Sequence, residues 1–322
     1  MNLVLVGLGY WGKNFKRILE NSSFSFSLKY IVDPNLKNIE GEYLLFESID
    51  QLLNEASDID CAIVSTPTST HYDIAKKLIE NKIHTLIEKP LTTEFETAKE
   101  LIDLAKDQKT VLMTDYIYLY NESIKKIISY IQNEDIGKLI HISFERSNLG
   151  PIRTDVNALW DLTTHDVSIL QAMTNLEPKE ISSSGYRRKN SEVEDMVNIS
   201  IKYDDLFVTI FSSWLHPEKS RKIKIVGDKK MIIFDDLSQE EPIKIYDKKI
   251  SDINEKESIK NSSVFSFSVG DVTIPYIDRN EPLSQVVIDF NNRINGNEGD
   301  FLNSDDLSLR TIKLLNDIEE KL

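Results

Sequence analysis

The chain opens on an apolar run, Asn2 to Val6, that passes directly into Gly7-Leu8-Gly9-Tyr10-Trp11-Gly12 and then into a helix-patterned stretch reaching Leu19. Few local sequences restrict a fold so closely. The first glycine permits a tight turn out of a strand, the second leaves no Cβ where the backbone approaches a ligand, and the third lets the helix pack close on the strand. The free N–H groups and positive dipole end of that helix then suit a phosphate. Leu28 to Val32 reads as a second buried strand, and Asp33 follows twenty-one residues after Gly12, where an acid accepts hydrogen bonds from ribose hydroxyls. An ordinary strand–helix turn shares the glycine pattern, and Asp33 before Pro34 also suits a strand-end turn. The order of all the parts favours a dinucleotide site that includes Gly7, Gly9, Tyr10, Trp11, Gly12 and Asp33.

Strands and helices alternate through the first third. Ser48 to Ala56 is a helix with a capping box at Ser48 and Gln51, Cys61 to Ser65 an apolar strand, and Tyr72 to Glu80 an amphipathic helix. Leu86 and Ile87 lie in a strand, Thr93 with Glu96 caps a helix to Ala105, and Thr110 to Met113 forms a further strand. Such alternation implies right-handed crossovers and a parallel sheet covered on both faces, the α/β class, with ligands beyond the carboxyl ends of the strands. Ser65-Thr66-Pro67-Thr68-Ser69-Thr70-His71 and Glu88-Lys89-Pro90 both fall at such ends and are expected to face the cofactor.

The composition narrows the partners. With 322 residues, 40% hydrophobic and 28% charged, the chain has the balance of a globular protein with room for two domains. No run reaches the roughly 20 apolar residues of a membrane span, and the first residues form a strand rather than a leader, so a cytoplasmic location is expected. The single cysteine, Cys61, reads as a small packing residue. A net charge of −15 opposes general affinity for nucleic acid or anionic membrane. No metal ligands are assigned.

The glycine turn, Thr66-Pro67 with His71, Glu88-Lys89-Pro90, Asp161-Leu162-Thr163-Thr164-His165 and Glu281-Pro282-Leu283 together resemble the Gfo/Idh/MocA oxidoreductases over almost the whole chain. Asp33, which would face the extra phosphate of NADP, predicts NAD as cofactor, and the resemblance implies a cis Lys89-Pro90 bond and a lysine beside the nicotinamide that binds the substrate hydroxyl. It also implies an aspartate and a histidine that complete the site, here Asp161 and His165. At Gln285 an amide stands where the family's pattern has a glutamate.

The chemistry agrees. Oxidising a secondary alcohol takes a proton from oxygen and a hydride from carbon, so a cation is needed for the developing alkoxide and a base for the proton. Lys89 supplies the first and His165, titrating near neutrality, the second. Asp161 and His165 are four apart, expected on one face of a helical turn, where the carboxylate would hold the imidazole's tautomer. A surface helix pair is the competing reading, and the lysine motif decides against it. His71 either serves the cofactor end or caps the helix that follows it. His84, His141 and His216 have no partner pattern.

The domains are expected at 1–118, a Rossmann domain, and 119–322, an α+β domain with a large antiparallel or mixed sheet. In the second, Asn121 caps a helix from Ser123 to Gln132, followed by strand-like runs Leu139 to Phe144, Ile181 to Tyr186, Val197 to Tyr203, Phe207 to Leu215, Lys222 to Val226, Met231 to Phe234 and Ile243 to Tyr246. Gly227-Asp228 reads as a hairpin turn. Ser251 to Ser263 is polar and reads as a flexible loop before Val264 to Ile277. Phe207 to Leu215 is apolar on both faces and needs two covers: a neighbouring subunit in a dimer or tetramer, or the chain's own closing helices.

For the substrate, Gly150-Pro151-Ile152-Arg153 through Asn157 to Trp160 resembles the branch of the family that acts on nucleotide-linked sugars. Asn121, Arg153, Asn157 and Trp160 join Lys89 and His165 as candidate substrate-binding groups. Arg153 suits a diphosphate, or it balances local acids; Trp160 suits stacking on a ring, or it is core. Free sugars and inositols remain open, as does a dinucleotide-binding regulator of the same fold, which retention of Lys89, Asp161 and His165 disfavours.

Overall fold

The computed structural model describes residues 1–35, 41–150, 152–153, 155–252, 265–297 and 302–322. Its contacts form two units, Met1–Asn121 with Asn280–Asn316, and Glu122–Arg279 with Asp317–Leu322. A boundary placed at 118 from sequence alone leaves the closing helices in the second domain; in the structure most of that segment belongs to the first.

The first unit is built on six strands: β1 (Asn2–Val6), β2 (Ser27–Val32), β3 (Leu44–Phe46), β4 (Cys61–Val64), β5 (His84–Glu88) and β6 (Leu112–Asp115). They are ordered β3-β2-β1-β4-β5-β6 and all their pairings are parallel. The order reverses between β1 and β4, the point where open α/β sheets form a ligand crevice. Helices α1 (Tyr10–Asn21), α2 (Ile49–Glu55), α3 (His71–Glu80) and α4 (Phe95–Gln108) make the crossovers. Leu3 to Val6 and Cys61 to Val64 are wholly buried, as continuous apolar strands covered on both faces must be. The strand β3 escapes sequence reading because it has three residues and two of them, Leu44 and Leu45, are exposed.

Helix ends show where local signals hold. Ser48 Oγ accepts from the Gln51 N–H at 3.2 Å, and Gln51 Oε1 accepts from the Glu47 N–H, so the capping pair forms one residue wider than the standard box. Thr93 and Glu96 do not cap α4. The first N–H of that helix, on Phe95, donates instead to Asn316 Oδ1 at 3.0 Å, while Asn316 Nδ2 donates to the Thr93 carbonyl at 2.7 Å. The N-cap is Glu94, one residue later than expected, and a single amide 221 residues from Phe95 binds the backbone on either side of it.

The returning segment contains α7 (Pro282–Ile294) and α8 (Asp305–Glu319). In the first of these Leu283, Val286, Val287 and Phe290 are buried. Beside them the Tyr120 hydroxyl donates to Asp289 Oδ2 at 2.6 Å, and Asn303 Nδ2 donates to the Thr114 carbonyl at 2.6 Å. Those bonds tie the returning segment to the end of β6 and to the short 3-10 turn Ile117–Tyr120.

The second unit holds eight strands: β7 (Leu139–Leu149), β8 (Glu180–Tyr186), β9 (Met196–Lys202), β10 (Phe207–Ser213), β11 (Leu215–Gly227), β12 (Met231–Asp235), β13 (Ile243–Asp252) and β14 (Phe265–Thr273), ordered β14-β13-β12-β11-β7-β10-β9-β8. Among the described residues only the β7–β10 pairing is parallel, so the sheet is mixed and mainly antiparallel, as expected. The Gly227-Asp228 turn joins β11 to β12, with the Gly227 N–H on the Lys230 carbonyl at 3.0 Å. Two strand runs depart from their expected bounds. β7 continues through Arg146 because that guanidinium, buried, forks onto the buried Asp166 carboxylate at 2.7 Å and no longer needs water. The run expected over Phe207 to Leu215 is two strands broken at Trp214, which lies between β10 and β11.

One face of this sheet is covered by the unit itself. Ile142, Phe144, Val197, Ile199, Ile201, Val208, Ile210, Ile223 and Ile225 are all buried, and Thr163 donates to Ser212 on the same face at 2.8 Å. On the other face of β10, Phe207 is 46% exposed and Phe211 half-buried. Helices α5 (Glu122–Gln132) and α6 (Thr164–Met173) complete the unit. Of the segment read as a flexible loop, Ser251 and Asp252 belong to β13, and 253–263 lie outside the described residues. Among the described residues no helix is long and apolar enough to cross a membrane.

One edge of β5 carries a titration. His84 Nδ1 accepts the Val111 N–H at 2.9 Å, so the ring must keep a bare nitrogen, and burial pushes its pKa below the ordinary value against the opposing charge of Asp60. A depressed folded pKa means that this contribution is intact above the ordinary histidine value of about 6.5 and lost as pH falls toward the folded one. The urea midpoint should therefore drop between pH 7.5 and 5.5, and His84→Gln, whose amide oxygen still accepts, should lessen that drop. An undiminished drop in the variant would assign the acid sensitivity elsewhere.

Candidate functional site

The glycine turn is shaped by backbone contact. Gly7 has φ +88°, and a Cβ there would meet the Ser65 carbonyl oxygen at 2.8 Å. A Cβ on Gly12 would meet the Gly7 carbonyl oxygen at 2.1 Å and Ser65 Oγ at 3.0 Å. Ser65 Oγ itself donates to the Gly7 carbonyl at 2.9 Å, so the end of β4 and the turn after β1 are one packed piece. Gly9 differs. It is the N-cap of α1 and nothing lies within 4 Å of where its Cβ would be, so open space stands over the helix N-terminus. Asp33, at the end of β2, accepts from the Leu8 N–H at 2.7 Å and the Asn35 N–H at 2.8 Å. Each carboxylate oxygen keeps a further lone pair for a ligand hydroxyl. Tyr10 is 79% exposed and meets Trp11 edge to face. A free helix N-terminus, an open glycine and an anchored carboxylate fit the phosphates and ribose of NAD.

At the end of β5 the Lys89-Pro90 bond is cis, as the resemblance implies. Glu88 and Lys89 are buried, and Glu88 Oε2 accepts the Lys89 N–H at 2.8 Å. Opposite Glu88 in the parallel register stands Asp115, the last residue of β6, 1% exposed. Burial, and then the Glu88 charge, push its carboxyl well above the usual carboxylate range against the pull of Lys89. Sequence reading missed Asp115; the signal available was its place at a strand end beside Glu88. Thr66 and Pro67 lie beyond β4, where the Thr70 hydroxyl donates to Thr66 Oγ1 at 2.8 Å. His71 is neither a cap nor exposed to a cofactor. It is buried, with Nδ1 2.8 Å from the Pro90 carbonyl oxygen and Nε2 3.0 Å from that of Thr66.

In the second unit Asp161 and His165 straddle a change of helix type. Leu159–Thr163 is a π-helical turn and α6 starts at Thr164, so the α-helical face expected for the pair is interrupted between them. Asp161 Oδ2 accepts the Trp214 indole N–H at 3.0 Å, and Oδ1 lies 3.4 Å from Arg153. Trp214 is thus a partner of the candidate residue Asp161 that sequence reading placed only in an apolar run. Arg153 forks onto Asp155 at 2.9 and 2.5 Å. Trp160 is 3% exposed and donates its indole N–H to Glu319 at 2.9 Å, so it is core and cannot stack on a ligand. Asn157 is also internal: its Oδ1 accepts the Trp160 N–H at 3.1 Å and its Nδ2 donates to Glu319 at 3.2 Å. Asn157 thus caps the start of the candidate-site helix, its side chain taking one of the first N–H groups of the π turn. Asn121 closes the turn Ile117–Tyr120, directly before α5.

Comparison with known proteins bears on both units. The model of the oxidoreductase family with an NAD-binding Rossmann fold, GFO_IDH_MocA, matches residues 1–116, and that of the GFO/IDH/MocA C-terminal domain matches 124–233. A UDP-N-acetylglucosamine 3-dehydrogenase of Acidithiobacillus ferrooxidans is 31% identical over 141 residues, 44% of this chain and 43% of that one. The scyllo-inositol 2-dehydrogenase (NADP(+)) IolW of Bacillus subtilis is 24% identical over 245 residues, 69% of this chain and 65% of that one. The aligned part of the chain therefore spans under half of the first relative's length and just under two thirds of the second's. Among solved structures, the Acidithiobacillus ferrooxidans enzyme GnnA matches with TM-score 0.77 at 21% identity, over 100% of this chain and 97% of that one. The WlbA dehydrogenase of Bordetella pertussis, in complex with NADH and UDP-GlcNAcA, matches with TM-score 0.79 at 15% identity, over 100% and 96%. At those identities the structures establish the shared fold.

The two glycines of the turn should separate folding from binding. Gly12→Ala sets a Cβ against a backbone oxygen and should lower the thermal midpoint as well as NAD affinity. Gly9→Ala meets no atom of the chain, so it should melt like the parent while binding NAD about tenfold more weakly or worse, a loss of roughly 1.4 kcal/mol. Calorimetric titration and a melting curve on both variants check this. Normal NAD binding by Gly9→Ala would mean that the pyrophosphate does not cross this turn.

Proposed function

This chain belongs to the Gfo/Idh/MocA oxidoreductase family, and from that premise we propose that it is an NAD-dependent dehydrogenase acting on a secondary hydroxyl of a nucleotide-linked sugar. The observation that carries the proposal is the presence of Lys89, Asp161 and His165, in the matching motifs, in a chain whose dinucleotide turn is intact. Bound NAD takes up or returns the hydride. Lys89 donates a hydrogen bond to the substrate oxygen and stabilises it as negative charge develops. His165 accepts the hydroxyl proton. Asp161, held by Trp214 and Arg153, supplies negative charge four residues before His165 and stabilises the imidazolium that results.

Nucleotide-linked sugars are supported by the Acidithiobacillus relative and by the sequence leading into the Asp161 motif. A free sugar or inositol is the second reading, and one observation favours it: Arg153 is already engaged by Asp155 and Asp161, so it must exchange carboxylate for phosphate before it can hold a diphosphate. Absorbance of reduced nicotinamide across a panel of UDP-sugars, hexoses and inositols separates the two. Tight NAD binding without reduction by any of them would point to a regulator.

We further propose that the protein works as a homo-oligomer joined through the open face of the second sheet, where Phe207 stands 46% exposed. Light scattering at micromolar concentration should give a multiple of the 37.0 kDa chain mass; a monomer mass refutes it.

Asp33 should favour NAD over NADP. Two like charges about 4 Å apart repel by roughly 4 kcal/mol at an effective dielectric of 20, less where solvent screens them. Asp33→Ala should narrow the ratio of turnover with the two coenzymes, and equal use of both by the parent would refute the assignment. Lys89→Ala should lower turnover on the order of 100- to 1,000-fold. His165→Ala should lower it roughly 100- to 10,000-fold, with activity recovering at higher pH as solvent base substitutes. Neither should change the NAD dissociation constant appreciably. Near-normal turnover in either variant removes that residue from the chemistry.

A further inference from the structure

His71, at the head of α3, is 1% exposed, and each of its ring nitrogens lies at hydrogen-bond distance from a backbone carbonyl: Pro90 at 2.8 Å and Thr66 at 3.0 Å. A carbonyl oxygen only accepts. Neutral imidazole has one N–H and one bare nitrogen, so in either tautomer a lone pair of this buried ring would face a carbonyl lone pair. The imidazolium, with two N–H groups, satisfies both oxygens. His84 provides the opposite case in the same unit, since its Nδ1 faces a donor, the Val111 N–H, and requires a bare nitrogen.

We propose that His71 is a resident imidazolium and a positioning residue, clamping the Lys89-Pro90 turn after β5 to the Thr66-Pro67 turn after β4. The positioning role rests on the reading of Lys89 as the group that binds the substrate hydroxyl. Pro90 directly follows Lys89, so holding the Pro90 carbonyl fixes the backbone from which the Lys89 side chain departs. Thr66 follows the strand end whose Ser65 packs against Gly7 and Gly12, so the same proton links the lysine to the frame of the dinucleotide turn. The charged groups on the surrounding elements are Glu88 at the end of β5 and Lys89 just beyond it, Asp115 on β6, Asp73 on α3 itself, and Glu100 on α4, which Lys76 and Tyr72 hold. The segment from Thr66 to Thr70 has none. Glu88 is the acid able to offset a second buried cation beside Lys89, since Asp115 is pushed toward its neutral form. Loss of the proton removes one of the two clamping bonds and leaves the turn free to shift.

The test uses the whole protein labelled with nitrogen-15 at its five histidines. Ring nitrogen spectra at pH 7 should show two protonated nitrogens for His71 and one bare nitrogen for His84, an internal reference in the same sample. His71→Gln identifies the signals; should it fail to fold, replacing each of the other four histidines identifies them by elimination. A bare nitrogen on His71 at pH 7 overturns the proposal whatever the activity. His71→Gln should lower kcat on the order of 10- to 100-fold, as expected for a misplaced catalytic group, with the NAD dissociation constant within about threefold. The parent's kcat should fall on the alkaline side in step with the His71 signal, and the variant should lack that limb. An unchanged kcat and pH profile in His71→Gln overturns the positioning role. If the parent reduces NAD with no sugar or inositol, the proposed activity fails, while the spectrum still decides the charge of His71.

Discussion

The first unit depends on one close approach: Gly7, Gly12 and Ser65 share a space in which any Cβ would collide with a carbonyl oxygen. That contact draws the start of α1 down onto the ends of β1 and β4. It opens the space above Gly9 and places the Leu8 N–H where it holds Asp33. The open N-terminus of α1 and the anchored Asp33 carboxylate are thus set by one backbone packing, with no long side chain needed to orient either. The net charge of −15 makes this economical, because an acidic chain holds an anionic ligand best with fixed backbone donors.

Around that frame the buried polar groups are arranged as partners. Arg146 and Asp166 neutralise each other inside the second sheet, and Tyr120, Asp289 and Asn303 bond beside β6 in the first unit. Unpaired, each would cost more than a hydrogen bond contributes. The acids at the strand ends are handled differently. Glu88 takes a backbone N–H, whereas Asp115 is pushed toward its neutral form, so the surroundings of Lys89 are set by protonation as well as by packing.

What could be read from the sequence follows the range of the interactions. The glycine turn, the Ser48 cap, the Gly227 hairpin and the alternation of Val197, Ile199 and Ile201 are local, and the structure contains each of them. The strand β3 gave no signal because three residues are too few for a period to show. The Thr93 cap failed because the helix starts one residue later, with Glu94 as N-cap and Asn316, from the far end of the chain, taking the first helical N–H. Trp160 and Trp214 show the difficulty for the site: both are tryptophans in apolar surroundings, and only the fold decides that one donates to Glu319 in the core and the other to Asp161. The π turn before α6 was invisible for a related reason, since it extends a pattern that otherwise reads as ordinary helix.

The return of residues 280–316 to the first unit bears on how the protein is made. When the ribosome has finished 279 residues, every strand of both sheets has been synthesised, yet Phe95 lacks the side chain that caps its helix. Tyr120 lacks its acid, and the face destined for Leu283, Val286, Val287 and Phe290 is bare. A unit whose first 121 residues emerge early is therefore completed only after the second sheet. Throughout the synthesis of the second sheet, the nascent chain carries an unsealed apolar surface on its dinucleotide-binding half, the condition in which chaperones are needed and premature termination leads to aggregation.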